Sequence, residues 1–500
     1  MSTVLHQAVH PSILSRRWQW LALVALGILL VLWLGRWPSR AVSPLLTPLP
    51  QDPYIQVYLN HSQAAVYTDP YRRIQRHGDD LEQIIIDAIQ QAQTSIDVAV
   101  QEINLPHIAL ALRDRAQAGI PVRIVIENQY NRVWQPVNRP QLEGMEDRDR
   151  GRHSEQRRLI DANNDGKITA AELDQGDAIR IFQKSGLPLI DDTADGSKGS
   201  GLMHHKFMVV DGKTLITGSV NWTLSDVHGD FAEPDSRGNA NALLKITSPE
   251  LVAPFTEEFN LMWGDGPGGK PDSLFGLQKP ARSPRILQIP NSQVTVQFSP
   301  LSKTQPWSQS TNGLISQTLA QAQQRIDMAL FVFSDQGISN GLAQRAQVGV
   351  QIQALIDADF IYRYYSEGLD MLGLAIPDHR CKFQADNRPW TQPIQAVGKA
   401  PLAQGDKLHH KFALIDNTIT IIGSHNWSAA ANHTNDENLL VIRNPTVAAH
   451  FRREFDRLID GAELGFTREL QDYLQRQRKA CGLSRSRSGD TQLSISVGMS

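Results

Sequence analysis

The chain has 500 residues, of which 41% are hydrophobic and 20% charged, and its net charge is −3. This length is sufficient for two sizeable cores, and the composition excludes a chain that is disordered throughout. The charge excludes an overall basic surface of the kind that tracks nucleic acid, and leaves only local basic patches open. With only Cys381 and Cys481, the fold cannot rest on a framework of disulfides.

The N-terminal segment is the first predicted element. Arg16 and Arg17 precede an apolar stretch at residues 21–34, and tryptophans flank it on both sides. Its length approaches the roughly 20 residues that a helix needs to cross a bilayer. No small-x-small cleavage site follows, which favours a signal anchor over a removed signal peptide. We expect residues 1–45 to form a hydrophobic helix and linker, and the rest of the chain to lie on the periplasmic or extracellular side, or to be secreted if the segment is cleaved.

The chain contains an internal repeat. Residues 92–99 match 322–329, and residues 116–120 match 346–350. Each copy has the hydrophobic spacing of helix, strand, helix, strand, which in the first copy covers residues 81–92, 95–100, 108–118 and 122–127. This alternation predicts an α/β fold with a mostly parallel sheet covered on both faces. We assign the first half to residues 46–270, the second to 285–465, and the tail to 466–500, with disorder expected at its end.

The first copy carries an insertion at about residues 150–178. Within it, residues 161–172 fit the EF-hand pattern D-x-[DN]-x-[DN]-G-x5-E at every position. Alternate oxygens would surround one Ca²⁺ ion, Gly166 would take the sharp turn, and Glu172 would bind through both carboxylate oxygens. The predicted ligands are Asp161, Asn163, Asp165, Lys167, Thr169 and Glu172. A polar surface turn without a metal is the alternative.

A second repeated pattern carries the predicted chemistry. It reads H-x-K, four residues, Asp, six residues, then G-S-x-N, and it occurs once in each copy. The predicted site residues are His204, Lys206, Asp211, Ser219 and Asn221 in the first copy and His409, Lys411, Asp416, Ser424 and Asn426 in the second. We expect Asp211 and Asp416 to orient neighbours at a strand end or turn, and His205 and His410 to pack behind the strand.

Each pattern places an imidazole and an ammonium on one face of a strand, because residues two apart point the same way. Two imidazoles suit metal-free phosphodiester exchange. One attacks phosphorus, and the other protonates the departing alkoxide and then activates water. The lysines and asparagines would hold the nonbridging oxygens. The duplication therefore predicts one site built from two halves about a pseudo-twofold axis.

These motifs resemble those of the phospholipase D superfamily, whose signature is H-x-K-x4-D-x6-G-S-x-N. The resemblance covers roughly residues 50–465. It implies two similar α-β-α sandwich halves, a phosphohistidine intermediate, no metal at the catalytic centre, and His204 as the nucleophile. It also implies an acid that orients a histidine: Glu437 fits this role for the second copy. The first copy has Asn241 at that position, so Asp230 or Glu233 would have to substitute.

The shared chemistry leaves several functions open. The first is a membrane-tethered phospholipase D that hydrolyses phospholipid head groups, with the membrane as its partner through the N-terminal helix, and transphosphatidylation is a variant of it. The second is an exported nuclease acting on DNA or RNA. The third is a calcium-dependent membrane-binding protein without activity, against which two intact motifs argue. No protein partner can be inferred from the sequence.

Overall fold

The computed structural model of the chain describes residues 45–197 and 200–482. Two large mixed sheets, of seven and nine strands, organise these residues. The predicted N-terminal anchor lies outside the described ranges. Within them, no helix combines the length and the apolar character that crossing a membrane requires.

The first sheet has the strand order β1-β9-β8-β7-β4-β5-β6. A separate small hairpin, β2 and β3, precedes the first helix. The strands of the first half are β1 Ile55–Leu59, β2 Val66–Thr68, β3 Gln75–His77, β4 Ile96–Val100, β5 Val122–Ile126, β6 Leu189–Asp191, β7 Lys206–Val210, β8 Thr214–Gly218 and β9 Ala242–Thr247.

Helices cover this sheet on both faces, as their apolar spacing predicts. The first begins where the Asp80 carboxylate accepts a hydrogen bond from Gln83 N, and it buries Leu81, Ile85 and Ile89. The helices of the first half are α1 Leu81–Gln90, α2 Pro106–Gln117, α3 Arg139–Glu143, α4 Asp147–Ile160, α5 Ala170–Gly176, α6 Ala178–Ser185, α7 Leu224–Val227 and α8 Pro249–Trp263.

The second sheet repeats this plan and extends it at both edges, in the order β10-β11-β17-β16-β15-β12-β13-β14-β18. Its strands are β10 Arg285–Ile289, β11 Ser292–Ser299, β12 Arg325–Leu330, β13 Gln351–Ile356, β14 Val397–Lys399, β15 Lys411–Ile415, β16 Ile419–Gly423, β17 Glu437–Arg443 and β18 Glu463–Leu464. Its helices are α9 Thr311–Leu319, α10 Gln336–Gln347, α11 Glu367–Met371, α12 Ala429–His433, α13 Pro445–Ile459 and α14 Arg468–Ala480.

The predicted helix–strand alternation is found in both halves, but the expectation of a mostly parallel sheet is wrong. In the first sheet only the β4–β5 and β5–β6 pairs are parallel, and β7, β8, β9 and β1 pair antiparallel. The cause is the short connection after β7. Asp211, at φ 55°, and Gly212 turn the chain directly back into β8, and such a turn can join only antiparallel strands.

One hydrophobic core is shared by the two halves. Phe207 and Phe255 of the first half lie in the same cluster of buried residues as Phe412 and Phe451 of the second. A separate core lies on the outer side of each sheet. The shared core holds the two sheets against each other, and so fixes where β7 and β15 lie relative to each other.

The C-terminal segment is ordered further than the predicted tail at 466–500 suggests. Helix α14 buries Leu470 and Leu474, and it is followed at once by Cys481. Cys481 forms a disulfide with Cys381, with the two Cα atoms 5.4 Å apart. The serine- and arginine-rich residues 483–500 lie outside the described ranges.

Candidate active site

Two reciprocal backbone hydrogen bonds bring the histidine segments of the two halves together. Asp436 N donates to Leu202 O at 2.9 Å, and Ala240 N donates to Lys407 O at 2.7 Å. Leu202 and Lys407 occupy the same place, two residues before His204 and His409. Each segment is thus held against the chain just before the start of β9 or β17 in the opposite half.

Each histidine is oriented by a side chain from the other half. His204 Nδ1 lies 2.7 Å from Glu437 Oε2, and His409 Nδ1 lies 2.9 Å from Asn241 Oδ1. The expectation that Glu437 serves the second copy's own histidine is therefore wrong. The physical reason is the reciprocal pairing described above, which places the starts of β9 and β17 beside the other half's histidine. Both contacts leave Nε2 as the ring nitrogen that can react.

The predicted serines support these orienting side chains. Ser424 Oγ donates to Glu437 Oε2 at 2.7 Å, and Ser219 Oγ donates to Asn241 Oδ1 at 2.7 Å. Both hydroxyls are fully buried. Ser219 and Ser424 thus act through Asn241 and Glu437 and are positioning residues, not nucleophiles.

A carboxylate that the sequence analysis did not single out lies near the second histidine. Asp226 Oδ2 is 3.7 Å from His409 Nδ1, and it also accepts a hydrogen bond from Asn221 N at 2.8 Å. The expectation that Asp230 or Glu233 replaces the missing acid is wrong, because Asn241 and Asp226 take that place. Asp226 is the first acid after the G-S-x-N motif, which is the signal that could have identified it.

The two motif lysines are completely buried beside their own histidines. Lys206 Nζ donates to His204 O at 2.8 Å and to Gln101 Oε1 at 3.1 Å, and Lys411 Nζ donates to His409 O at 2.7 Å. Burial lowers the pKa of Lys206 to about 8. Burial, reinforced by the charge of Lys206, lowers the pKa of Lys411 to about 7. The effect of Lys206 on Lys411 indicates that the two ammonium groups lie near each other.

The same site also shifts the pKa of His409 and the pKa of Glu437, the acid that orients His204. Burial, and then the charges of Lys411 and Lys206, hold the pKa of His409 well below its usual value. Burial raises the pKa of Glu437, while His425, Lys206 and a hydrogen bond from Ser424 oppose that rise. An added anion would reverse the effect of the lysines on His409 and favour its protonation.

Two amide groups complete the set. The Oδ1 atoms of Asn221 and Asn426 are buried and have no hydrogen-bond partner in residues 45–197 and 200–482. A buried polar group without a partner costs stability, on the order of 1–3 kcal/mol. Two such groups at equivalent positions indicate a polar ligand that both can contact. The oxygen or the nitrogen of each amide can make this contact, because the side-chain amide can be turned by 180°.

Comparison with known proteins agrees with this geometry. A family model described as "Cardiolipin synthase, PLD-like domain" matches residues 85–263 and 315–459, which is well over half of the chain. The chain belongs to the phospholipase D-like family. The predicted family resemblance is confirmed at this level.

Curated relatives of the chain are named mitochondrial cardiolipin hydrolase. The Xenopus laevis protein is 24% identical over 186 residues, covering 36% of this chain and 78% of that protein. The human protein is 26% identical over 187 residues, covering 37% of this chain and 52% of the human protein. Each alignment thus spans little more than a third of this chain.

A solved structure supports the fold over a much longer stretch. A crystal structure titled phosphatidylserine synthase, from Haemophilus influenzae, aligns with 87% of this chain and 93% of its own, at a TM-score of 0.53 and 13% identity. At this identity the likeness shows the mixed α/β fold alone. It covers both halves of the chain.

Two of the predicted site residues lie elsewhere in this family member. Asp211 and Asp416 follow β7 and β15, at the opposite strand ends from the histidines. Asp211 accepts hydrogen bonds from the backbone N–H groups of residues 93–95, and Asp416 from those of residues 323–325. They fasten a turn to the start of the neighbouring strand, which is the strand-end role expected of them, and they lie apart from the histidines.

The middle histidine of each H-H-K run belongs to the core. His205 Nε2 lies 2.9 Å from Glu258 Oε1 in α8, and His410 Nε2 lies 2.9 Å from Glu454 Oε1 in α13. Both rings are fully buried behind the strand. These pairs tie α8 to the start of β7 and α13 to the start of β15.

The EF-hand-like loop lies between α4 and α5, away from the motif residues in the chain. Asp161 accepts hydrogen bonds from Asp165 N and Gly166 N, and Gly166 adopts φ 79°. The Glu172 carboxylate accepts a hydrogen bond from Thr169 N as part of a capping box. Within residues 45–197 and 200–482, no three His, Cys, Asp or Glu side chains lie close enough to hold a metal ion.

Proposed function

We propose that the protein is a phosphodiesterase of the phospholipase D type that hydrolyses phospholipid head-group bonds through a phosphohistidine. The observation that carries the proposal is the crossed orientation of two histidines, each held at Nδ1 by a side chain of the other half. A buried lysine lies beside each histidine, and each motif also holds a buried asparagine Oδ1 without a partner in the described residues. This combination offers two reactive Nε2 atoms and donors for one phosphoryl group.

In the first step, His204 Nε2 attacks phosphorus and forms a P–N bond. The P–O bond to the alcohol breaks, and protonated His409 transfers its Nε2 proton to the departing oxygen. Glu437 stabilises the positive charge that develops on the His204 ring, as the carboxylate of a catalytic triad does. This difference between Glu437 and Asn241 favours His204 as the nucleophile.

In the second step, His409 is neutral and accepts a proton from water. The resulting hydroxide attacks phosphorus, the P–N bond breaks, and His204 regains its lone pair. The products are phosphatidic acid and the free alcohol, and both histidines return to their starting forms. Replacement of water by a second alcohol would give transphosphatidylation, which is the variant outcome of the same chemistry.

The lysines and amides bind the nonbridging oxygens in both steps. Lys206 and Lys411 bring two charges to a site without bulk water, where they act more strongly than on a surface. Their lowered pKa values mean that binding of the anionic diester also restores their full protonation. No metal is required for any of these steps.

A phospholipid is favoured as substrate by the names of the related proteins. Both the family model and the matched relatives are named for cardiolipin, a phospholipid with two phosphodiester groups. The near-neutral charge of the chain also fits a lipid better than a nucleic-acid polymer, whose binding depends on basic surface. An exported nuclease with the same catalytic residues is the alternative.

The localisation is part of the proposal. The disulfide between Cys381 and Cys481 fits an oxidising compartment, since cytosolic thiols are kept reduced. Together with the apolar residues 21–34, it supports a catalytic part held at the outer side of a membrane by the N-terminal segment. The proposal fails on this point if the protein is found reduced and cytosolic in cell fractionation with thiol labelling.

Calcium binding at residues 161–172 is a separate proposal. It is supported by the match to the EF-hand pattern, the left-handed turn at Gly166 and the buried, unpartnered Glu172 Oε1. The acidic side chains of this loop do not converge on one point in the described structure, so Ca²⁺ binding would need Glu172 to leave its capping box with Thr169. Calorimetry of the full chain should show Ca²⁺ binding that Glu172→Gln abolishes. An absence of heat for the unaltered protein would disprove it.

The catalytic proposal is tested with the full chain in detergent. The protein is offered phospholipid vesicles, single-stranded DNA, duplex DNA and RNA side by side, with product alcohol or cleaved strands measured. We expect hydrolysis of phospholipid, loss of turnover in His204→Ala and His409→Ala, and an acid-labile phosphoenzyme in the unaltered protein. Cleavage of nucleic acid alone supports the nuclease, and full activity of either histidine variant refutes the mechanism.

A further inference from the structure

The twofold-related walls of the active site have opposite chemical character. Gln101 and Phe331 occupy equivalent positions, because Gln101 N donates to His205 O at 2.9 Å and Phe331 N donates to His410 O at 2.8 Å. Both therefore follow a central strand and lie beside the lysine of their own half. One is an amide, and the other is an aromatic ring.

The wall of the first half is polar. Gln101 accepts a hydrogen bond from Lys206 Nζ, and the next residue, Glu102, forms an ion pair with Arg152 at 2.8 Å. Arg152 belongs to α4 of the insertion, and its guanidinium lies over the Tyr130 ring at 4.6 Å. Hydrogen-bonding groups and charges thus line this side.

The wall of the second half is aromatic. The Phe331 ring lies 4.8 Å from the His409 ring and 4.7 Å from the Phe360 ring, centroid to centroid. Lys411 Nζ lies 5.2 Å from the Phe331 centroid. Beyond Phe360, the same loop carries Tyr364, which is 38% exposed and in ring contact with Tyr365. Partly exposed aromatic side chains therefore extend from His409 toward solvent.

We propose that Phe331 and Phe360 receive the acyl-bearing part of the phosphodiester, and that Gln101, Glu102 and Arg152 face its polar alcohol. This inference rests on the proposed phospholipid function and adds the direction in which the lipid lies. A site with two nearly symmetric catalytic sets needs a difference of this kind between its walls. The phosphoryl-binding groups alone cannot distinguish the two substituents of phosphorus. Contact with acyl chains removes the apolar surface of a partly exposed aromatic ring from water, which is favourable. Contact between acyl chains and an exposed charged group removes the water that hydrates the charge, which is unfavourable.

Two soluble substrates separate this role from a general effect on catalysis. Dihexanoyl-phosphatidylglycerol below its micellar concentration and glycerophosphoglycerol share the diester and the glycerol alcohol, and differ only in the acyl chains. Phe331→Gln gives the second half the same residue type that Gln101 provides in the first half. Phe360→Ser removes a ring that contacts Phe331, and Ile286→Gln, at an exposed position on β10, is the matched control.

We expect Phe331→Gln and Phe360→Ser each to lower kcat/KM for the dihexanoyl lipid by about 10-fold or more, in line with the loss of one well-covered aromatic side chain. The rate with glycerophosphoglycerol should change by less than about threefold, since its binding uses only phosphoryl and polar contacts. Phe331→Leu should retain most of the preference for the acylated substrate. Ile286→Gln should leave both rates unchanged.

Each other outcome overturns the inference. Equal losses on the two substrates would make Phe331 a positioning residue for His409 only, and unchanged rates would leave the aromatic wall without a role. A selective loss on a short oligonucleotide would assign the rings to base stacking instead. Inactivity of the unaltered protein on the dihexanoyl lipid and on the phospholipid vesicles refutes the proposed function itself, and the inference with it.

Discussion

Glu437 holds His204 at 2.7 Å although 233 residues separate them in the chain. The corresponding contact of His409 is made by a neutral amide, Asn241. The active site is therefore nearly symmetric in its backbone and asymmetric in its charge. In the proposed mechanism, this difference is the reason why His204 and His409, which the repeated motif presents as equivalent, have unlike tasks.

Replacement of the orienting acid tests this assignment. Glu437→Gln keeps the size of the side chain and removes the charge that stabilises the positive ring of His204. We expect kcat to fall by about 100-fold or more with little change in the thermal midpoint, because loss of the carboxylate behind a catalytic histidine is of this order. Steady-state kinetics and calorimetric melting measure the two effects. A decrease below threefold would contradict a role for Glu437 in catalysis.

The lysine pKa values predict an early alkaline limit. Lys411 and Lys206 lose their protons near pH 7 and 8, which weakens capture of the anionic diester by the free enzyme. We expect kcat/KM to decline above pH 7, by about 10-fold per pH unit where one lysine proton is lost. A profile at constant ionic strength checks this. A flat profile to pH 9.5 would mean that the lysines stay protonated in the free enzyme.

Removal of a buried lysine should stabilise the protein. In the folded state the pKa of Lys411 is lowered to about 7, whereas in the unfolded chain it is about 10.4. The unfolded chain thus binds the extra proton between these values, so the penalty is complete below pH 7 and disappears by about pH 10. Lys411→Met should raise the unfolding free energy by about 1–2 kcal/mol at pH 7, and not at pH 10. Denaturant titration at both pH values measures it, and a variant that is less stable than the unaltered protein at pH 7 would contradict it.

Asp211 should affect stability and not turnover. Its carboxylate accepts hydrogen bonds from four donor groups at the turn into β4, and against the opposing effect of burial the backbone N–H donors hold its pKa below the ordinary value. Asp211→Asn should lower the unfolding free energy by roughly 1–3 kcal/mol at pH 7. A depressed pKa gives stability that is lost as pH falls through the folded value, so the difference should shrink below pH 4. A large drop in kcat at full folding would instead return Asp211 to the catalytic set.

The disulfide provides a further test. Cys381 and Cys481 close a loop over a sequence separation of 100 residues and attach the end of α14 to the segment before β14. Cys481→Ser should lower the unfolding free energy by about 2–4 kcal/mol, with kcat unchanged because the bond lies outside the active site. Melting with and without reductant provides the comparison. An equal response of variant and unaltered protein to reductant would show that the bond does not form.

Sequence patterns were sufficient for the local parts of the structure. The spacing of apolar residues predicted α1, β4, α2 and β5 within a few residues, because each depends on its own buried face. The antiparallel pairing of β7 and β8 does not follow from apolar spacing. It depends on the tight turn at Asp211 and Gly212, which joins the two strands directly.

The pairing of histidines with orienting residues could not be predicted in the same way. Glu437 was identified as an orienting acid from its place after the second strand, but its partner is fixed by contacts between halves. Asp226 was missed because it has no acidic counterpart in the second copy, where Ala431 stands at the equivalent position. A repeated motif identifies the residues that the two copies have in common. The asymmetric contacts are made by residues that differ between the copies, so the motif does not predict them.

The crossed contacts also constrain how this duplicated chain could have changed over time. A pair of first halves would place an amide behind both histidines and Gln101 on both walls, and a pair of second halves would place two acids and two phenylalanines there. Neither homodimer reproduces the present centre. In the present chain, a substitution at Glu437 or Asn241 changes the surroundings of the other half's histidine, so the two halves form a single unit and cannot be exchanged for each other.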